Sequence, residues 1–271
     1  QFVHKWGSST MNGSNMIEIE KEDNAIGIVT INHPPANCLT LDLIDKLSSV
    51  LDDLQTDQSV RVIILTGSGD KFFSSGVDIN QILSIKSPGE GARLAKKGQD
   101  LCNKIESYSK PIIAAINGLC NGGGNELALA CHYRVAADNS AFQQPEVNLG
   151  ITPVFGASQR LTRLIGKSSA FRMIIMCEKI TSNEALRIGL VDEIVRRQAL
   201  LKRALRLSQT ISAKSQIAID AALRAIRDSY YSALSDGLRN EINHFKLVCQ
   251  GNDMKEALIA FKEKRKPLFK N

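Results

Sequence analysis

Long apolar runs are missing from this chain: no stretch approaches the roughly 18 apolar residues that a membrane-spanning helix needs, so a soluble protein is expected. Paired cysteines are missing too. The six cysteines, at positions 38, 102, 120, 131, 177 and 249 of 271 residues, form no CxxC pair. Thiols so scattered read as buried groups of a reducing compartment, with no disulfides and no zinc site. Histidine is scarce. His4, His33, His132 and His244 are too dispersed for a metal cluster to be read from spacing. Lys and Arg outnumber Asp and Glu by 34 to 28, which favours an anionic partner. There is no dense basic stripe with interleaved aromatics, so nucleic acid is the weaker candidate for that anion and a phosphate-rich cofactor or substrate the stronger.

What is present suits a folded globular protein. A hydrophobic share of 43% and a charged share of 23% supply a large core and argue against disorder. The length fits one α/β core with a smaller helical piece. Residues 1–15 are polar, lack a signal-peptide apolar stretch and precede Met16 at the start of a strand pattern, so they read as a tag or loose tail; a structured arm is the alternative. Residues 16–200 are expected to form the core and residues 201–271 a C-terminal helical region, with a soft boundary. The expected location is cytoplasmic, or the mitochondrial matrix if the source is eukaryotic.

Strands and helices alternate along the first part. GIVTIN is a β-rich run closed by His33-Pro34-Pro35, a turn that neither a helix nor a central strand accepts. Leu39, Leu43, Ile44, Leu47, Val50, Leu51 and Leu54 then recur at helical spacing behind Thr40, a good cap. The strand RVIILTG, a segment from Phe72 to Leu83 and a helix reaching Tyr108 come next. KPIIAAING, a glycine turn, the helix ELALAC, the strand YRVAA and an extended AFQQPE complete the series. Such alternation implies parallel crossovers with the ligand site at the strands' carboxyl ends. From Ser158 onward the pattern is almost wholly helical, with stretches at 168–177, 182–188, 198–211, 214–227, 230–249 and 253–264.

Three features at those strand ends carry chemistry. Gly122, Gly123 and Gly124 lie between a strand and a helix, where unobstructed N–H groups and the helix dipole would stabilise an oxyanion. Ser74-Ser75-Gly76-Val77-Asp78 is a second small-residue turn, with Asp78 placed to cap the next segment. Two such turns at successive strand ends are what a two-donor oxyanion hole requires. Glu126 and Glu146 both lie just after turns near strand ends, so they can share one cleft where burial and mutual repulsion raise a pKa toward neutrality for general acid/base work. Each feature alone has a plainer explanation: a tight turn, a carboxylate favouring a helix N-terminus, a surface glutamate.

The segments SSGVDI, KPIIAAINGLCNGGGNELALAC, FQQPEVNLGITP, SQRLTRLIGK, ITSNEALRIGLVDEIV and EALIAFKEKRKPLF together resemble the enoyl-CoA hydratase/isomerase (crotonase) superfamily over residues 16–271. The resemblance implies an α/β fold: a spiral ββα core with a C-terminal helical trimerisation region, and a homo-oligomer, a trimer or a hexamer of two trimers. It implies an acyl-CoA thioester as substrate, with no cofactor besides that thioester and no metal. The oxyanion donors fall on the N–H groups of Val77 and Gly123. Ser75, Val77, Asp78, Ile79, Asn80, Gly122 and Gly123 line the acyl-CoA path, and Phe261 and Lys264 reach the CoA of a neighbouring subunit. Glu146 gives the C2 proton and Glu126 activates the water that adds to C3. With both glutamates present, hydration is favoured over Δ3,Δ2-enoyl-CoA isomerisation, the alternative chemistry; an RNA-binding relative is the alternative of another class.

The chain departs from the family pattern in places. Hydratases typically read PG-x-GGTQRL where this chain has Pro153 to Leu161 as PVFGASQRL, putting bulkier residues near the acyl pocket. His132 stands where an aspartate is common and reads as a surface replacement, not a catalytic residue. HPPAN lacks the basic residue that many hydratases place against the CoA phosphates.

Overall fold

The structure is a computed structural model that describes residues 16–269; the expected tail at 1–15 lies outside the described residues. Strands β1 (Ile17–Glu22) and β2 (Ile26–Ile31) form an antiparallel hairpin. Strands β3 (Val62–Gly67), β5 (Ile112–Ile116), β7 (Tyr133–Ala137) and β10 (Glu193–Val195) extend it in parallel, in the order β1-β2-β3-β5-β7-β10. After each central strand the chain drops into a short strand of a second sheet: β4 (Phe72–Ser74), β6 (Leu119–Asn121) and β8 (Ala141–Gln143), closed by β9 (Ile180–Thr181). This repeated descent is the spiral.

The central strands β3 and β5 are almost wholly apolar because both faces are covered. Ile63 and Leu65 point into one cluster with helices α1 (Leu41–Thr56) and α3 (Pro88–Glu106), whereas Val62 and Ile64 point into another with Leu200 and Ala204 of helix α7 (Leu200–Ser212). Each such fully buried side chain contributes roughly 2 kcal/mol. Thr40 caps α1 through Leu43 N, as its position predicts.

Two features of the second half differ from expectation. The helix expected at 168–177 is the end of a longer one, α5 (Ala157–Ile174), broken at Gly166 where φ is +78°. The region expected to be helical also holds β9 and β10, which complete the two sheets beside β8 and β7. With two and three residues, they are too short for alternation to register in sequence. Helix α6 (Ser182–Arg187) lies between them. Beyond α7, helices α8 (Gln216–Tyr231), α9 (Leu234–Gln250) and α10 (Asn252–Lys262) pack mainly on one another and leave Leu234, Phe245 and Phe261 at 79%, 62% and 82% exposure. No helix among the described residues is long and apolar enough to cross a membrane.

Candidate active site

The two turns meet. A parallel bridge joins Leu39 to Val77, in which Leu39 N donates to Gly76 O (2.8 Å) and Asp78 N donates to Leu39 O (3.2 Å). Those bonds use the groups on either side of Val77, so the N–H of Val77 itself faces away from Leu39. Gly76, at φ +94°, brings this turn against the glycine turn: a methyl built on it would lie 2.9 Å from Asn121 O and 3.1 Å from Gly123 N. Gly123 is the first residue of helix α4 (Gly123–Ala130), where N–H groups have no intrahelical acceptor and the dipole is positive. The backbone thus sets two amides beside each other at the ends of β4 and β6.

Side-chain amides hold this arrangement. Buried Asn37 donates to Ser68 O and Phe72 O, and Ser74 donates to Asn37 O at 2.7 Å. Buried Asn117 ties Gly67 to Gly69 from the next strand end. Asp78 caps helix α2 (Ile79–Leu83) through Asn80 N, as the turn predicts. Ile79 and Asn80 are exposed along it. Ser75 is half-buried, with its hydroxyl 3.1 Å from Cys38 Sγ.

Both glutamates are buried, at 2% exposure for Glu126 and 8% for Glu146. Glu126 lies one turn into α4, its N–H donating to Gly122 O. Its Oε1 accepts from Phe155 N (2.9 Å) and Ala157 N (2.8 Å), the amides that open α5. Burial pushes its pKa up to about 7, against the pull of those N–H groups and of Arg160 toward ionisation. Arg160 braces the loop by donating to Phe155 O (3.1 Å) while pairing with Glu106 (3.0 Å).

Glu146 opens the turn Glu146–Leu149 after β8. A methyl built on Gly122, whose φ is +47°, would lie 2.8 Å from Glu146 Oε1, so this carboxylate rests on the glycine turn. Its Oε2 is buried with no hydrogen-bond partner among the described residues. Burial, then the charge of Glu126, pushes its pKa up to about 7. Two carboxyls with raised pKa values beside a pair of backbone amides can exchange a proton with a ligand bound between them.

A family model described as enoyl-CoA hydratase/isomerase matches residues 21–271. The chain belongs to the enoyl-CoA hydratase/isomerase family. Similar relatives include a probable enoyl-CoA hydratase of Bacillus subtilis, 41% identical over 92% of this chain and 96% of that one. A short-chain-enoyl-CoA hydratase of Clostridium acetobutylicum is 37% identical over 93% and 96%. Among solved structures, an enoyl-CoA hydratase from Bacillus anthracis matches with TM-score 0.90 at 33% identity, covering 94% of this chain and 99% of that one. As an enzyme of this family the chain has the expected crotonase fold, with mixed sheets and a C-terminal helical region.

Of the residues singled out from sequence, the structure gathers Val77, Gly122, Gly123, Glu126 and Glu146 at one place. Among the described residues no hydrogen bond or ion pair joins Phe261 or Lys264 to it, and α10 packs chiefly on α9. His132 requires correction. It is not a surface replacement: the ring is half-buried, its Nδ1 accepts from Ile112 N at 2.9 Å, and burial pulls its pKa down to about 4. It caps the N-terminal end of β5. Cysteine burial is also mixed, with Cys102, Cys120, Cys131 and Cys177 buried but Cys38 half-buried and Cys249 exposed. Sequence reasoning missed the Phe155 and Ala157 amides and Arg160; the one available signal was Gly156 just before an apolar helical pattern, a helix N-terminus able to hold a carboxylate.

Proposed function

We propose that the chain hydrates a 2-enoyl-CoA thioester. The observation that carries this is the burial of two carboxyls with raised pKa values beside the Val77 and Gly123 amides. The thioester oxygen lies between those amides, which stabilise the enolate charge as it develops. Water adds its oxygen to C3 and a proton is delivered to C2. The hydrogen-bond pattern supports a division of roles between them. Glu126, with two N–H donors on one oxygen, favours its ionised form and takes the water proton. Glu146, with an unpartnered oxygen and a charged neighbour, favours its protonated form and supplies the proton to C2. Neither metal nor further cofactor enters this chemistry.

The 2,3-dehydroadipyl-CoA hydratase of Escherichia coli, 37% identical over 90% of this chain, and the relatives above support hydration as the family chemistry nearest this site. The exposed apolar residues of α8 to α10 suit a homo-oligomer, a trimer or hexamer, in which Phe261 and Lys264 meet a neighbour's CoA. Loss of the conjugated enoyl-thioester absorbance of crotonyl-CoA tests the reaction. No loss with linear or cyclic enoyl-CoAs, together with no effect of Glu146→Gln, would sink it. Product analysis with a 3-enoyl-CoA separates hydration from double-bond isomerisation.

A further inference from the structure

The Phe155 side chain is 2% exposed and wedged between two glycines. A methyl built on Gly98 of α3 would lie 2.0 Å from Phe155 Cδ1, so only a glycine there admits the ring. On the other side, a methyl built on Gly123 would lie 3.3 Å from Phe155 Cε2, with Leu39 Cδ1 at 3.3 Å and Val77 Cγ2 at 3.2 Å. The ring therefore touches the oxyanion turn itself. Its position is held from both ends: Phe155 N donates to Glu126 Oε1, and Gln99 Nε2 donates to Val154 O at 2.9 Å, tying the loop to α3.

A substrate whose carbonyl oxygen sits at Val77 and Gly123, and whose C3 faces Glu126, continues along the wall that carries Phe155. The ring blocks that direction. Leu94, one turn before Gly98 on α3, and Lys97, next to Gly98, line an open recess of about 280 Å³ with Leu41 and Ile85. We infer that Phe155, seated on Gly98, is the floor of the acyl pocket, restricts the enzyme to short acyl groups, and separates the pocket from the recess between α2 and α3. Gly98 is a positioning residue for it, since any side chain there expels the ring. This role for Phe155 rests on the acyl-CoA assignment of the site.

The test compares kcat/KM for crotonyl-CoA, 2-hexenoyl-CoA and 2-decenoyl-CoA in the wild type, in Phe155→Ala, and in Phe155→Leu as a milder truncation should alanine fail to fold. The wild type should lose at least about tenfold in kcat/KM from crotonyl-CoA to 2-decenoyl-CoA, and truncation should narrow that ratio by at least about tenfold, in line with what a few methylenes are worth in a closed pocket. Equal rates for all three in the wild type, or an unchanged ratio in a folded variant, would overturn it. Equilibrium binding of butyryl-CoA and decanoyl-CoA separates the two claims. If no enoyl-CoA is hydrated but butyryl-CoA is preferred and truncation relaxes that preference, the pocket floor stands and the hydratase assignment falls. If neither thioester binds, both fall.

Discussion

Replacing Glu126 by glutamine removes a charge while keeping the shape. The amide oxygen can still accept from Phe155 N and Ala157 N, so the geometry at the start of α5 persists. What changes is the cost of ionisation. Burial raises the carboxyl from 4.5 to about 7, and roughly 2.5 pKa units at about 1.36 kcal/mol each makes the ionised carboxylate about 3 kcal/mol less favourable folded than unfolded. Proton binding sets the sign. Below the unfolded value both states are protonated and nothing is lost; between 4.5 and about 7 the folded protein holds a proton that the unfolded chain has released, so stability falls as pH rises. Above that window the penalty is constant. Glu126→Gln should therefore exceed the wild type by about 1 kcal/mol or less near pH 5 and by about 3 kcal/mol near pH 8.5, the latter a rise of roughly 6–12 °C in Tm for a chain of this size. Scanning calorimetry at both pH values and one protein concentration reads this directly, while kcat for enoyl-CoA hydration should fall roughly 10²- to 10⁴-fold. A variant that is no more stable at pH 8.5, or whose advantage is the same at pH 5, would refute the account of a carboxylate held at an energetic cost for catalysis.

The remaining outcomes concern the same wall of the site. Glu146→Gln should lower kcat by roughly 10²- to 10⁴-fold with little change in KM, measured by steady-state hydration of crotonyl-CoA. Because both carboxyls sit near 7, kcat/KM against pH should be bell-shaped about neutrality, and Glu146→Gln should lose the limb that reports the proton donor. Arg160→Met removes a charge that favours ionised Glu126; the limb assigned to Glu126 should move to higher pH, and Arg160→Lys should restore it only in part because the bonds to Phe155 O and Glu106 need the guanidinium fork. Gly122→Ala combines a left-handed φ of +47° with a methyl 2.8 Å from Glu146 Oε1; a stability loss of about 1–3 kcal/mol by denaturant titration should accompany a fall in kcat.

Local chemistry made much of this protein legible before folding is considered. The apolar run VIIL announces a strand buried on both faces, Thr40 and Asp78 announce helix starts they do cap, and glycines between a strand and a helix announce exposed amides. These signals depend on a residue and its near neighbours, so they survive in one dimension. Of the second sheet only β8 was legible, as the extended AFQQPE; β4, β6, β9 and β10 did not announce themselves, because strands of two or three residues take their partners from distant segments. His132 misled for the same reason: only the packing of β5 against its turn turns it from a surface residue into an acceptor for Ile112 N.

The sequence by itself determined the inventory: two glutamates, two amide-bearing turns, and the motif order that resembles the family. Only the tertiary structure decided how the glutamates differ. Glu126 reaches the start of α5 some thirty residues on and is held there by two amides, whereas Glu146 rests on Gly122 with one oxygen unpartnered. Burial and hydrogen bonding set a carboxyl's proton affinity, and both are properties of what the fold brings near it. The same holds for Phe155, whose position beside the oxyanion turn exists only because Gly98 leaves room for it.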